Sequence, residues 1–238
     1  DGRHHLGREH APDGITERQV ARCERRAPLQ HVVAGVVDVD HGRHGTVAQM
    51  TSYAPIPAAH EPDGHMVRWA TWDGEHTDTT TIRWENEGFT VSGLLSREHV
   101  EFVLRLSPTW QVRQFILFRD LEEPDLWLAT DGSGRWGEMN GAHRAELDGC
   151  YDVLLAGSAF THSLPIHRLP MHEGHAAEVP VVRVNPETLE VAAITHRYTR
   201  LTATQWRIET EEAGSAVEVD VDPHGLVLDY PEGFRRVS

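Results

Sequence analysis

The chain has 238 residues, a formal net charge of −15, two cysteines and 22 basic residues, every one of them arginine. That acidic balance repels phosphate backbones and anionic membrane surfaces, so no nucleic-acid partner is expected. No apolar run approaches the ~18 residues of a membrane helix, the amino end lacks the pattern of a secretory signal, and Cys23 and Cys150 form no metal or redox pair, which suits a reducing compartment.

Residues 1–64 read as a low-order leader rich in His and Arg. They carry histidines at 4, 5, 10, 31, 41, 44 and 60 and no tryptophan. A short capped helix over Thr16–Arg26 and a strand over Gln30–Val39 offer too little apolar area to offset the entropy of ordering them. The pairs His4-His5 and His41-x-x-His44 lack the cysteines or carboxylates that would complete a metal site, so no metal or cofactor is expected.

From residue 65 to 238 the text becomes short β-like runs separated by turn residues, the pattern of an antiparallel all-β domain. The runs are 66–72, 80–85, 89–95, 99–106, 111–118, 126–130, 135–138, 179–184, 189–201, 205–211, 216–221 and 226–230. Asp73-Gly74, Asp131-Gly132-Ser133-Gly134, Asn185-Pro186 and Asp222-Pro223-His224-Gly225 supply the turns. Alternation in Ala216-Val217-Glu218-Val219-Asp220-Val221 and Gln205-Trp206-Arg207-Ile208-Glu209-Thr210 makes those strands dry on one face and wet on the other. A dozen strands in one domain favour a single large curved sheet, closed or nearly closed on itself.

The stretch from Glu146 to Pro170 stands apart. Pro165 and Pro170 argue against a helix interior or a central strand, so Phe160, Leu164, Ile166 and Leu169 are expected on an extended, irregular segment crossing the core. Thr161, His162, Ser163, His167 and Arg168 then have two possible duties. They satisfy the unpaired backbone groups of that segment, or they hold a polar head group whose apolar tail enters the interior.

Asp148-Gly149-Cys150-x-Asp152, followed by Phe160-Thr161-x-x-Leu164-Pro165-Ile166-x-Arg168-Leu169, resembles the signature of the putative glycolipid-binding family. Further blocks agree in order: Trp69 with Asp73-Gly74-x-His76, Trp110 with Arg113, Asp131-Gly132-x-Gly134-Arg135-Trp136, Arg197-Tyr198-Thr199, and Gly225 to Pro231 through Phe234-Arg235-Arg236. The resemblance implies a spiral β-roll, a bacterial cytoplasmic protein similar in shape to carriers of lipoproteins and lipids, and a lipid or glycolipid as partner. Three departures bear on the head group. Ser158-Ala159-Phe160-Thr161-His162 stands where the family tends to read Thr-Pro-Phe-Thr-Asn, Leu154 stands where a second acid is usual, and His167 stands where Arg is common. An imidazole at 162 titrates near neutrality, so pH-dependent binding is expected there.

These readings make Tyr151, Thr161, His162 and Arg168 candidate head-group contacts, with Trp110, Phe160 and Leu164 as candidate apolar walls of a non-catalytic binder. A hydrolase built from His162, His167, Asp152 and Ser158 or Ser163 is the rival, though no nucleophile elbow or triad context surrounds them. A scaffolding module with a filled core is the third reading. His172-Glu173-Gly174-His175 is not HExxH and reads as a solvated loop.

Overall fold

The computed structural model describes residues 53–120, 123–210, 214–231 and 233–238. Among them the chain forms thirteen strands in two sheets. The first sheet runs β1 (His65–Thr71), β2 (Thr77–Glu85), β3 (Gly88–Leu95), β4 (Val100–Leu106), β5 (Val112–Phe118), β6 (Leu126–Thr130) and β7 (Trp136–Glu138), each antiparallel to the next. The C-terminal β13 (Phe234–Arg236) pairs with β1 at the far edge. The second sheet has the order β12 (Ser215–Asp220), β11 (Gln205–Thr210), β10 (Val191–Arg200), β9 (Ala176–Val184) and β8 (Asp152–Leu155).

The all-β reading holds, and the larger sheet curls into a half-barrel. Two sheets replace the single sheet expected. The eleven runs from 66 to 221 all coincide with strands, to within a few residues at their ends. The twelfth, 226–230, does not form a strand: it makes only the isolated bridges Val221↔Val227 and Tyr230↔Phe234. The strand β8 was hidden because it is short and pairs parallel to β9, Asp152 opposite Val181.

That parallel pair explains the stretch that looked irregular. Parallel neighbours need a long crossover, and here it carries a 3₁₀ turn over Phe160–His162 running into helix α1 (Ser163–Arg168). The segment is therefore helical, not extended. Pro165 is tolerated because it falls at the third helical position, where the missing N–H had no intrahelical acceptor. Pro170 sets the end instead. It biases the preceding residue away from the helical region, and Leu169 sits at φ −80°, ψ 117° as the C-cap.

Helix α1 sits on the seam between two hydrophobic cores. Phe160 and Leu164 join the core inside the half-barrel with Trp69, Phe102, Phe115 and Trp136, whereas Ile166 and Leu169 join the one behind the second sheet with Tyr198, Trp206 and Ile208. On β9, Val182 belongs to the first core and Val181 to the second, so this strand is buried on both faces.

The leader reading covered 1–64. Residues 1–52 lie outside the described residues, but 53–64 do not form a separate leader, because Ile56 and Ala59 are buried in the half-barrel core. The Thr16–Arg26 helix, the Gln30–Val39 strand, the first six histidines and Cys23 lie outside as well. Cys150 is a small buried hydrophobe, 1% exposed, and burial pushes its thiol up to about 11.

Candidate functional site

The residues singled out in 151–168 are mostly committed to one another. Thr161 Oγ is buried against the turn that precedes it, accepting from Leu155 N–H and lying 3.1 Å from the Ser158 carbonyl. Ser163 Oγ accepts the N–H of Val227 at 3.0 Å. Arg168 donates to both carboxylate oxygens of Asp152, Nε at 3.1 and 3.0 Å and a terminal nitrogen at 2.6 Å. The Arg168 guanidinium also lies 5.5 Å from the ring centre of Tyr151, whose hydroxyl reaches the Ser133 carbonyl at 3.4 Å. Phe160 and Leu164 are fully buried.

His162 is stacked on Tyr230, centroids 4.6 Å apart, with His196 beyond at 6.3 Å. Its Nδ1 has no hydrogen-bond partner among the described residues. Burial, with His196 nearby, lowers its pKa to about 3. It therefore stays neutral near pH 7, and the expectation of a titrating group there is corrected: the core, not the residue type, sets its charge.

Trp110 is different. It occupies the turn Ser107-Pro108-Thr109-Trp110 between β4 and β5, held by Trp110 N–H to the Ser107 carbonyl and Ser107 N–H to the Gln111 carbonyl. It closes that turn at φ 63°, a left-handed conformation that costs a bulky residue on the order of 1–3 kcal/mol. In exchange the indole turns inward, 6% exposed, and stacks on His167 at 3.6 Å with planes 6° apart. Phe89 lies 5.2 Å from the indole and Tyr53 lies 5.1 Å from the imidazole.

These rings line a partly open recess of about 190 Å³, completed by Ala54, Pro55 and Ile56. No charged side chain contributes to its wall, and burial lowers the pKa of His167 to about 3, so its imidazole stays neutral. Gly225 at φ 77° lets the 222–225 turn close against this wall, since a Cβ there would fall 2.7 Å from the Tyr53 ring and 2.9 Å from His167 Nε2. Of the candidate site residues only Trp110 reaches the recess; Phe160 stands behind it at 6.4 Å, and Tyr151, Thr161, His162, Leu164 and Arg168 are not among its lining residues. The sequence offers His167 as a partner for unpaired backbone groups, a polar head-group contact or a catalytic base, not as a stacked aromatic wall, and places Tyr53 to Ile56 in the leader. The available signal was Tyr53-Ala54-Pro55-Ile56-Pro57, whose alternation of proline with apolar residues suits a packed strap.

A second hollow of about 280 Å³ crosses Glu178, Arg197 and Glu209 on neighbouring strands of the smaller sheet. Its arginine already faces carboxylates at 3.8 and 3.6 Å, so it is a surface groove with its charge balanced. Among the described residues no three His, Cys, Asp or Glu side chains converge on a possible metal position.

Fold and recess together define a curled antiparallel β-roll with an uncharged, aromatic-walled recess at the seam of its cores. Residues 66–236 match the family described as "Putative glycolipid-binding", and the chain belongs to that family. The fold is similar to a crystal structure of a DUF1089 family protein from Pseudomonas aeruginosa, with TM-score 0.54 and 25% identity over 78% of this chain and 99% of that one. No curated protein matches the chain at a significant level. No helix among the described residues is long and apolar enough to cross a membrane.

Proposed function

We propose that this chain is a soluble, non-catalytic cytoplasmic binder of an amphiphile with an uncharged sugar head group, and that the ring rests in the recess of Tyr53, Phe89, Trp110 and His167. The observation that carries this reading is the charge-free aromatic wall around a recess of about 190 Å³. Pockets that enclose a drug-sized ligand measure roughly 300–1,000 Å³, so a recess of this size suits one ring or one end of a longer molecule. Aromatic faces pack well against the C–H face of a sugar, whereas an anionic head group would lose its hydration without meeting a cation. The alkyl chain then continues toward the apolar interior, where each buried methylene contributes ~0.8 kcal/mol.

The non-catalytic reading is favoured by the commitments of the rival's residues. Asp152 is held by Arg168, and among the described residues His162 Nδ1 and His167 Nε2 have no hydrogen-bond partner, so neither is paired there with Ser158 or Ser163 as a base with its nucleophile. The test is calorimetric titration of the full chain with dodecyl maltoside below its micelle concentration, beside dodecylphosphocholine and maltose. The maltoside is expected to bind more tightly than either, and Trp110→Ala to weaken it at least tenfold with the far-ultraviolet spectrum unchanged. Absence of binding by any alkyl glycoside, or turnover of p-nitrophenyl esters lost in His167→Gln, would sink the reading.

A further inference from the structure

At about 190 Å³ the recess falls below the roughly 300 Å³ at which pockets begin to enclose a drug-sized ligand, so a sugar ring that fills it leaves a twelve-carbon chain no enclosed space of its own. Behind the recess the space is taken: Phe160 stands behind Trp110, Leu106 lies opposite Phe89 on the neighbouring strand, and both are buried in the half-barrel core. For an alkyl chain to follow its head group inward, something must leave. One wall is unlike the others. Phe89 belongs to β3, Trp110 to a hydrogen-bonded turn and His167 to α1, but Tyr53 to Pro57 is an irregular strap.

Resting on the function proposed above, we infer that this strap is a gate, and that Ile56 occupies in the unliganded protein the place the alkyl chain takes on binding. Ile56 is 7% exposed and belongs to the half-barrel core although no regular element carries it. Pro55 and Pro57 on either side have no N–H to give. Two hydrogen bonds tie down the strap's amino end, Ala54 N–H to the Pro223 carbonyl and Trp206 Nε1–H to the Tyr53 hydroxyl, both 3.0 Å. The far end has a fixed point and a hinge. The Ala59 carbonyl accepts from Trp84 N–H at 2.7 Å, and Ala58 just before it sits at φ 53°, a sparsely populated conformation for a non-glycine residue. Rotation about Ala58 would swing Tyr53 to Pro57 outward together, taking Ile56 out of the core and leaving Phe89, Trp110 and His167, on β3, the turn and α1, as the walls that keep the head group.

The experiment uses the full chain, dodecyl maltoside and two readouts. Ile56→Ala removes the occupant, so it is expected to bind the maltoside at least fivefold more tightly than the unaltered chain; Tyr53→Phe, which loses the Trp206 bond without disturbing the core, is expected to tighten it about twofold. The Ala54 amide should lose hydrogen-exchange protection when the detergent is added. Unchanged or weaker binding by both variants, or an Ala54 amide better protected in the complex, overturns the gate and makes the strap an ordinary contact surface. If the unaltered chain and both variants bind no dodecyl maltoside, the binding function falls and the gate with it.

Discussion

Arg168 grips Asp152 through three hydrogen bonds, and the carboxylate is 0% exposed. The pair joins the last turn of α1 to the first residue of β8, so the crossover helix is fastened to the strand whose parallel pairing requires it. A buried ion pair of this kind is costly to break and cheap to replace, because losing one partner strands the other.

Arg168→Met is therefore expected to lower stability by about 3 kcal/mol, and the double change Asp152→Leu with Arg168→Met by much less. Urea unfolding at pH 7.5 measures both. Equal losses in the single and double variants would mean that the two charges do not depend on each other.

Asp78 behaves in the opposite sense to a paired carboxylate. It faces the half-barrel interior at 5% exposure, accepts the Ser96 N–H at 2.8 Å, and burial raises its pKa to about 6. The folded state thus holds a proton that the unfolded chain releases near pH 4. The resulting stability is complete at low pH and is lost as pH rises from about 4 through about 6, on the order of 3 kcal/mol in all. Asp78→Asn should stabilise by about 2 kcal/mol at pH 8 and hardly at all at pH 4. Equal effects at the two pH values would show that Asp78 ionises freely in the fold.

His162 and His167 work against the protein in acid. Both stay neutral in the fold down to about pH 3, while the unfolded chain takes up their protons near 6.5. Their stabilisation is complete above 6.5 and is lost as pH falls, roughly 2 kcal/mol for each at pH 5. His162→Phe keeps an aromatic ring against Tyr230 and should halve the difference in unfolding free energy between pH 7.5 and 5 after subtraction of the carboxylate background. A variant with the same slope as the unaltered chain would mean that this imidazole protonates in place.

Gly225 is where the 222–225 turn meets the recess. Gly225→Ala forces an L side chain into φ 77° and drives its Cβ onto the Tyr53 ring, at a cost of roughly 1–3 kcal/mol. Thermal unfolding measures the cost. Because Tyr53 is the group that must yield, hydrogen exchange at Ala54 should speed up more than exchange in β9 or β10; a uniform increase would mean that the strain spreads through the whole fold.

Most strands were legible because alternation and turn residues are local properties. The periods in Gln205–Thr210 and Ser215–Asp220 need no knowledge of what they pack against, and Asp222-Pro223-His224-Gly225 announces its turn by composition. The central motif was legible as a motif, though its shape was misread. Pro165 speaks against a helix only when its position within the helix is unknown, and that position depends on where β8 ends and how far the chain must travel to lie beside β9. The site was the least legible part, since Tyr53, Phe89, Trp110 and His167 come from four separate stretches and Phe89 has no unusual neighbours. His162 and His167 have the same intrinsic chemistry as any histidine, and only the packing around them holds them neutral.

Composition, alternation and motif were enough to establish an acidic, all-β chain of the glycolipid-binding family, because each is carried by residues near one another in sequence. The division into two sheets, the helical crossover, the seam between the cores and the recess beside Trp110 were decided by tertiary structure. Each depends on which distant segments are buried against each other, and that choice belongs to the chain as a whole.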